Sequence, residues 1–81
     1  MIIINKTIYF KSSQPFFTKE MKNIKNNTIR TLDDIEGNEL IKHKDEIELI
    51  AISSVETGLT FVRELRDISF YADRWIFTWN D

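Results

Sequence analysis

Residues 59–71 read LTFVRELRDISFY, and this β-rich stretch is the most informative part of the sequence for the fold. Along it Leu65 has the parity of Phe61, whereas Ile68 has the opposite parity, so a single regular strand cannot bury all three. The pattern predicts a long strand whose register shifts near Arg66-Asp67, as at a β-bulge where a sheet curls.

The segments on either side extend this strand into an antiparallel sheet. Residues 56–58 (ETG) and 72–73 (AD) are typical of turns, and they separate the long strand from a strand at 46–53 and a closing strand at 75–80. The aromatic residues of the closing strand alternate along it, which favours a place in the core or the sheet wall over a sheet edge that receives a partner.

The N-terminal half predicts a strand, a helix and a second strand. Residues 2–10 alternate partly as a strand, and Pro15 suits the first turn of a helix that Ser12 or Ser13 would cap. An apolar stripe along that helix is formed by Phe17, Met21 and Ile24. Residues 28–32 predict the next strand, and the acidic segment 33–44 is interpreted as a loop with room for one helical turn.

Taken together, the pattern predicts one α+β domain over residues 1–81. Five strands in so short a chain leave no room for crossover helices, so we expect a small, mostly antiparallel curled sheet or β-barrel with one short N-terminal helix. The absence of cysteine excludes disulfides and thiolate metal sites, and fits a cytoplasmic protein. Neither a membrane span nor a signal peptide is indicated, and we expect no cofactor and no metal.

Charge is distributed unevenly along the chain. The formal net charge is −2, yet residues 1–31 hold six basic residues and one acidic residue. This asymmetry indicates a patch that faces a polyanion, although ordinary surface variation explains it equally well.

The motifs resemble those of a known family. Residues 8–11 (IYFK), 14–17 (QPFF) and 24–30 (IKNNTIR) are similar to the opening of ASCH domains, which belong to the PUA-like superfamily. The similarity extends to Trp79 and is closest to compact versions of phage type. The chain departs from the family at Asn26, where Gly or Lys is usual, and at His43-Lys44, which replace Pro-Gly.

The resemblance implies a PUA-like fold and a candidate catalytic pair. Small ASCH enzymes that hydrolyse acetylated cytidine use a Lys, a Thr three residues later and a Glu on a later element, and Lys25 and Thr28 match this spacing. The Glu has no counterpart, because the element that would carry it is missing; Glu64, Asp67 and Asp73 stay open as partners. The alternative is that Lys25 is a solvated cation at a helix end and Thr28 an ordinary strand residue.

A nucleic-acid-binding or nucleotide-binding module, for RNA or a modified base, is therefore the first functional hypothesis, and the incomplete catalytic set argues against an enzyme. The predicted binding residues are the cations Lys11, Lys19, Lys22, Lys25 and Arg30 with the stacking candidates Tyr9, Phe16 and Tyr71. The alternatives are a small acidic inhibitor from a phage or mobile element that binds a host protein, and a minimal amidohydrolase acting on acetylated cytidine.

Overall fold

A computed structural model describes residues 1–80 of the chain. Six strands, two α-helices and one 3-10 turn make up the fold. The strands are β1 (Ile2–Ile4), β2 (Thr7–Ser12), β3 (Asn27–Arg30), β4 (Leu49–Ser54), β5 (Thr60–Tyr71) and β6 (Arg74–Trp79). The α-helices are α1 (Phe16–Met21) and α2 (Asp34–His43), and the 3-10 turn is Lys44–Glu46.

All six strands belong to one mixed sheet in the order β1-β2-β4-β5-β6-β3. Strands β2 and β4 pair in parallel, and every other neighbouring pair is antiparallel. The sheet curls, but β1 and β3 remain its two edges, so it does not close into a barrel. The α+β class and the mostly antiparallel sheet are thus confirmed, whereas the strands number six and not five, and there are two α-helices and not one.

The long strand β5 bends where its parity changes. Its pairing with β6 shifts register between Leu65 and Asp67, which confirms the predicted irregularity. Residues 60–64 of β5 pair with β4 and residues from Leu65 onward pair with β6, so the register shift lies next to the point where β5 changes partner. The turn at Ala72-Asp73 is also confirmed, and both residues adopt positive φ angles of 51° and 62°.

Two of the predicted elements are wrong. Residues 2–10 form a hairpin and not one strand, because Asn5 and Lys6 take φ angles of 50° and 66° and reverse the chain. Residues 33–44 form mostly a ten-residue helix and not a loop. Asp33 begins α2 by accepting a 2.8 Å hydrogen bond from the backbone N–H of Glu36.

Helix α1 is shorter than its predicted stripe. It buries Phe17 and half-buries Met21, but Asn23 has a φ of 57°, and Ile24, beyond the end of the helix, is exposed. Neither predicted serine caps it; the side chain of Gln14 instead accepts from the backbone and the hydroxyl of Thr18. The early end of α1 leaves residues 22–26 as a turn that leads into β3.

The core lies between the inner face of the curled sheet and the two helices. Its fully buried side chains include Ile8, Phe17, Leu40, Phe77 and Trp79. Burial of side chains of this size contributes roughly 1.5–3 kcal/mol each. Of the aromatic residues of β6, Phe77 and Trp79 are therefore core residues, and Trp75 is half-buried and packs against the core. Within residues 1–80, no helix has the length and apolarity needed to cross a bilayer.

Candidate functional site

A cavity of about 530 Å³ opens where the C-terminal end of β2, helix α1 and strand β3 meet. We name it the α1–β3 cavity. Nine of its eleven lining residues are polar or charged, and the other two are the apolar residues Phe16 and Ile29. The polar and charged lining residues are Lys11, Ser12, Ser13, Glu20, Lys25, Thr28, Arg30, Thr31 and Arg74.

Glu20 is the carboxylate of this cavity, and it is almost fully buried at 1% exposure. Its position on α1, one helical turn after Phe17, directs it to the inner side of the helix. One carboxylate oxygen accepts a 2.8 Å hydrogen bond from Ser12 Oγ, and the other lies 3.5 Å from Lys25 Nζ. A buried carboxylate is stable only when it is paired in this way.

Arg30 connects the two sides of the cavity. Its guanidinium donates through Nε to Thr28 Oγ1 at 2.9 Å, through Nη1 to the backbone carbonyl of Lys11 at 2.6 Å, and through Nη2 to Ser12 Oγ at 2.6 Å. It also lies over the Phe10 ring, with its central carbon 4.8 Å from the ring centroid. Strand β1 pairs with β2 only as far as Tyr9, so Arg30 binds the part of β2 that has no strand on that side.

The electrostatics of the cavity follow from this burial. Burial lowers the pKa of Arg30 from its ordinary value, and the nearby Glu20 carboxylate partly offsets the shift. Arginine remains a cation at neutral pH, so Ser12, Arg30, Glu20 and Lys25 form one connected ionic network. The side chains of Lys11 and Arg74 add two exposed cations to the lining.

The structure brings some of the predicted site residues together and leaves others apart. Lys11, Lys25, Thr28 and Arg30 all line the α1–β3 cavity, as does the stacking candidate Phe16. Tyr9 lines a neighbouring cavity instead. The remaining predicted residues, Lys19, Lys22 and Tyr71, line neither cavity.

The carboxylate that lines the cavity is Glu20, whereas none of the three carboxylates considered from the sequence, Glu64, Asp67 and Asp73, lines it. Sequence reasoning missed it because a glutamate on a short basic helix is typical of a solvated surface. A usable signal existed: Glu20 lies three residues after Phe17 and one before Met21, on the apolar side of α1.

Thr28 is held in place and is not an exposed hydroxyl. The residue is 2% exposed, and its Oγ1 accepts from Arg30 Nε. A threonine nucleophile needs a neighbouring base to remove its proton. The network supplies a carboxylate nearby, but the hydrogen bond observed for Thr28 is to the cation of Arg30 and not to a base.

Among the described residues, His43 and the acidic side chains near it do not form a metal centre. His43 lies at the end of α2 with Glu39 and Glu46 within 3.1 Å and 3.4 Å of its ring nitrogens. Within residues 1–80, no group of three His, Cys, Asp or Glu side chains could hold a metal ion.

Comparison with known protein families, with curated proteins and with solved structures finds no match for this chain. The resemblance to ASCH domains therefore rests on the motifs alone.

Proposed function

We propose that this chain is a small module that binds a nucleotide or single-stranded nucleic acid, with RNA or a modified base as its ligand, in the α1–β3 cavity. The observation that carries this proposal is the composition of the cavity. Four cations line it, Lys11, Lys25, Arg30 and Arg74, against the single carboxylate of Glu20. A cavity of about 530 Å³ also lies within the range of roughly 300–1,000 Å³ that is typical of small-ligand sites.

An aromatic side chain beside these cations completes the set that nucleotide recognition requires. Phe16 is 53% exposed, and Lys25 Nζ lies 5.7 Å from the centre of its ring. Cations hold the phosphate, whereas an exposed ring stacks on the base. Burial in the core therefore does not account for an aromatic ring at position 16, whereas stacking on a base would account for it.

The chain's overall acidity restricts the ligand. Duplex binding depends on many phosphate contacts spread over a wide basic surface. Here the net charge of the chain is −2. The four cations of the α1–β3 cavity surround a concave site and do not form a wide, flat basic surface. This supports a single strand or a free nucleotide as the ligand in preference to a duplex.

Binding is tested by fluorescence anisotropy with a labelled single-stranded RNA at two salt concentrations. The variant Arg74→Glu should weaken binding at least 10-fold, and Phe16→Ala should weaken it by about the 5- to 150-fold that one lost stacking contact of roughly 1–3 kcal/mol represents. Arg66→Glu and Tyr71→Ala are matched controls, because both residues are exposed and lie outside the cavity. Wild-type protein without salt-sensitive binding to RNA or to a nucleotide would refute the proposal.

A second candidate function is hydrolysis of acetylated cytidine, and the observation that favours it is the contact of Glu20 with Lys25 at 3.5 Å. Thr28 Oγ1 would attack the acetyl carbonyl, and the carboxylate would pass the hydroxyl proton to the amine of cytidine as the amide C–N bond breaks and cytidine leaves. Water would then hydrolyse the acetyl-Thr28 ester, which releases acetate and restores the hydroxyl. Glu20 precedes Lys25 here, whereas the resemblance implies a glutamate on a later element. Chromatography that detects no cytidine, or the same turnover in Thr28→Val, excludes this function.

A further inference from the structure

A second cavity adjoins the α1–β3 cavity on the other side of Arg30. It measures about 700 Å³, and we name it the β1–β2 cavity because much of its lining comes from these strands. Lys11, Arg30 and Thr31 line both cavities, so the two form neighbouring halves of one groove with these residues between them. Charged and polar residues are the majority of those that line the first half, whereas apolar and aromatic residues, among them Ile2, Ile4 and Leu32, are the majority in the second.

Each half of the groove contains one exposed aromatic residue. Phe16 lines the α1–β3 cavity, and Tyr9, which is 40% exposed, lines the β1–β2 cavity. Tyr9 and Lys11 lie on the same face of β2, because side chains two residues apart in a strand point to the same side. Their Cα atoms are on the order of 6–7 Å apart at the usual rise of a strand, which is a distance that one extended nucleotide unit can span.

At the boundary between the two halves, Arg30 has N–H groups available to donate hydrogen bonds to a ligand. A guanidinium carries five N–H groups, and Nη1 and Nη2 of Arg30 each have a second N–H beyond the one that binds Lys11 O or Ser12 Oγ. The Lys11 side chain is exposed at the same boundary. Arg30 contacts Phe10 and Ser12, which lie on the other face of β2 from the Lys11 side chain, so a phosphate would reach both cations at the edge of the strand, beside the Lys11 carbonyl. Deeper in the β1–β2 cavity it would meet the carboxylate of Glu36.

We propose that the groove binds a dinucleotide step of a single strand. This inference rests on the proposed nucleotide-binding function. One base lies against Phe16 in the α1–β3 cavity, the phosphate that links the nucleotides lies between Lys11 and Arg30, and the other base lies against Tyr9 in the β1–β2 cavity. The arrangement accounts for two aromatic residues, each exposed in its own cavity, on either side of a shared cationic pair.

The test compares ligands of one and two nucleotides by isothermal titration calorimetry. The probes are the four ribonucleoside 5′-monophosphates and the corresponding 5′-phosphorylated dinucleotides. The best dinucleotide should bind at least 10-fold more tightly than its mononucleotide, because one further stacked base and one further phosphate contact are gained. Tyr9→Ala should remove most of this gain and leave mononucleotide binding within 2-fold, whereas Phe16→Ala should weaken both ligands.

Two controls keep the result interpretable. Tyr9→Phe keeps the ring and should retain the gain, and Tyr71→Ala removes an exposed tyrosine outside the groove and should change nothing. If mononucleotides bind and dinucleotides bind no better, or if Tyr9→Ala weakens both ligands equally, the dinucleotide site is refuted while the proposed function stands. If neither class of ligand binds, both proposals are refuted.

Discussion

Arg30 connects β3 to β2, two strands that are not neighbours in the sheet, and we call the gap between them the open side of the sheet. Replacing Arg30 is the most direct test of how this open side is held together. Arg30 donates to Lys11 O, Ser12 Oγ and Thr28 Oγ1, and so joins β3 to the end of β2 that β1 does not cover. Hydrogen bonds from a charged donor contribute about 1.5–3 kcal/mol each, but the desolvation that lowers the Arg30 pKa opposes part of this gain. Breaking a buried ionic network costs roughly 3–5 kcal/mol of stability. Because Arg30 is only half-buried, we expect its loss to cost an amount near the lower end of this range.

The variant Arg30→Met should therefore lower the free energy of unfolding by about 3 kcal/mol. For a domain of this size the corresponding fall in Tm is roughly 12–24 °C. Arg30→Lys keeps the charge but not the planar fork that meets three acceptors, so we expect it to recover less than half of the loss. Urea unfolding followed by the fluorescence of Trp75 and Trp79 measures both variants.

Arg66→Met is the matched control, since Arg66 is an exposed arginine at the bulge of β5, and we expect a change within about 0.5 kcal/mol. If Arg30→Met costs less than about 1 kcal/mol, the ionic network does not stabilise the open side of the sheet. If Arg30→Lys unfolds at the wild-type midpoint, charge alone and not the fork geometry is responsible.

Three further predictions concern the fold, and the same urea unfolding measures each. Leu40→Ala should cost about 2–5 kcal/mol, because Leu40 is the fully buried residue of α2; a change as small as that of the exposed control Ile35→Ala would mean that α2 is not anchored by it. Gly58→Ala should cost about 1 kcal/mol, because Gly58 has a φ of 76° and an added Cβ meets no atom within 4 Å, so only backbone strain acts. Ala72→Gly should instead stabilise by up to about 1 kcal/mol, since Ala72 has a φ of 51°, and a loss of stability would contradict the assigned turn geometry.

The C-terminal half of the fold could be predicted from the sequence because its signals are local. The parity change between Leu65 and Ile68 and the short polar turns depend only on neighbouring residues, and the structure confirms them. The alternation of the closing strand likewise places Phe77 and Trp79 on the buried face.

The errors arose where the local signal was weak. Helix α2 buries one of its apolar residues, Leu40, while Ile35 and Ile41 are exposed, so its sequence lacks a clear apolar stripe. Asp33 followed three residues later by Glu36 was nevertheless a readable N-terminal signal. The turn at Asn5-Lys6 was missed because the isoleucines on both sides resemble one continuous strand.

The candidate site could be predicted only in part, since it joins segments that are distant in sequence. The spacing of Lys25, Thr28 and Arg30 placed them on one segment, and the structure places all three in one cavity. No sequence pattern states that Ser12 and Glu20 bind each other, or that Arg74 reaches the same cavity from β6. These contacts follow from the curl of the sheet, which is a tertiary property.

The parallel pairing of β2 with β4 has a consequence for the order in which the molecule assembles. Strands β4, β5 and β6 are joined by tight turns and need only short loops to close, whereas the β2–β4 register aligns Thr7 with Leu49 across the whole intervening chain. Closing a long loop costs more conformational entropy, and contacts that close such loops therefore form more slowly. We expect strands β4, β5 and β6 to pair first and the N-terminal half to dock on them later. The walls of the α1–β3 cavity would then be among the last parts to become ordered, and a ligand that fills it would stabilise the finished fold by mass action.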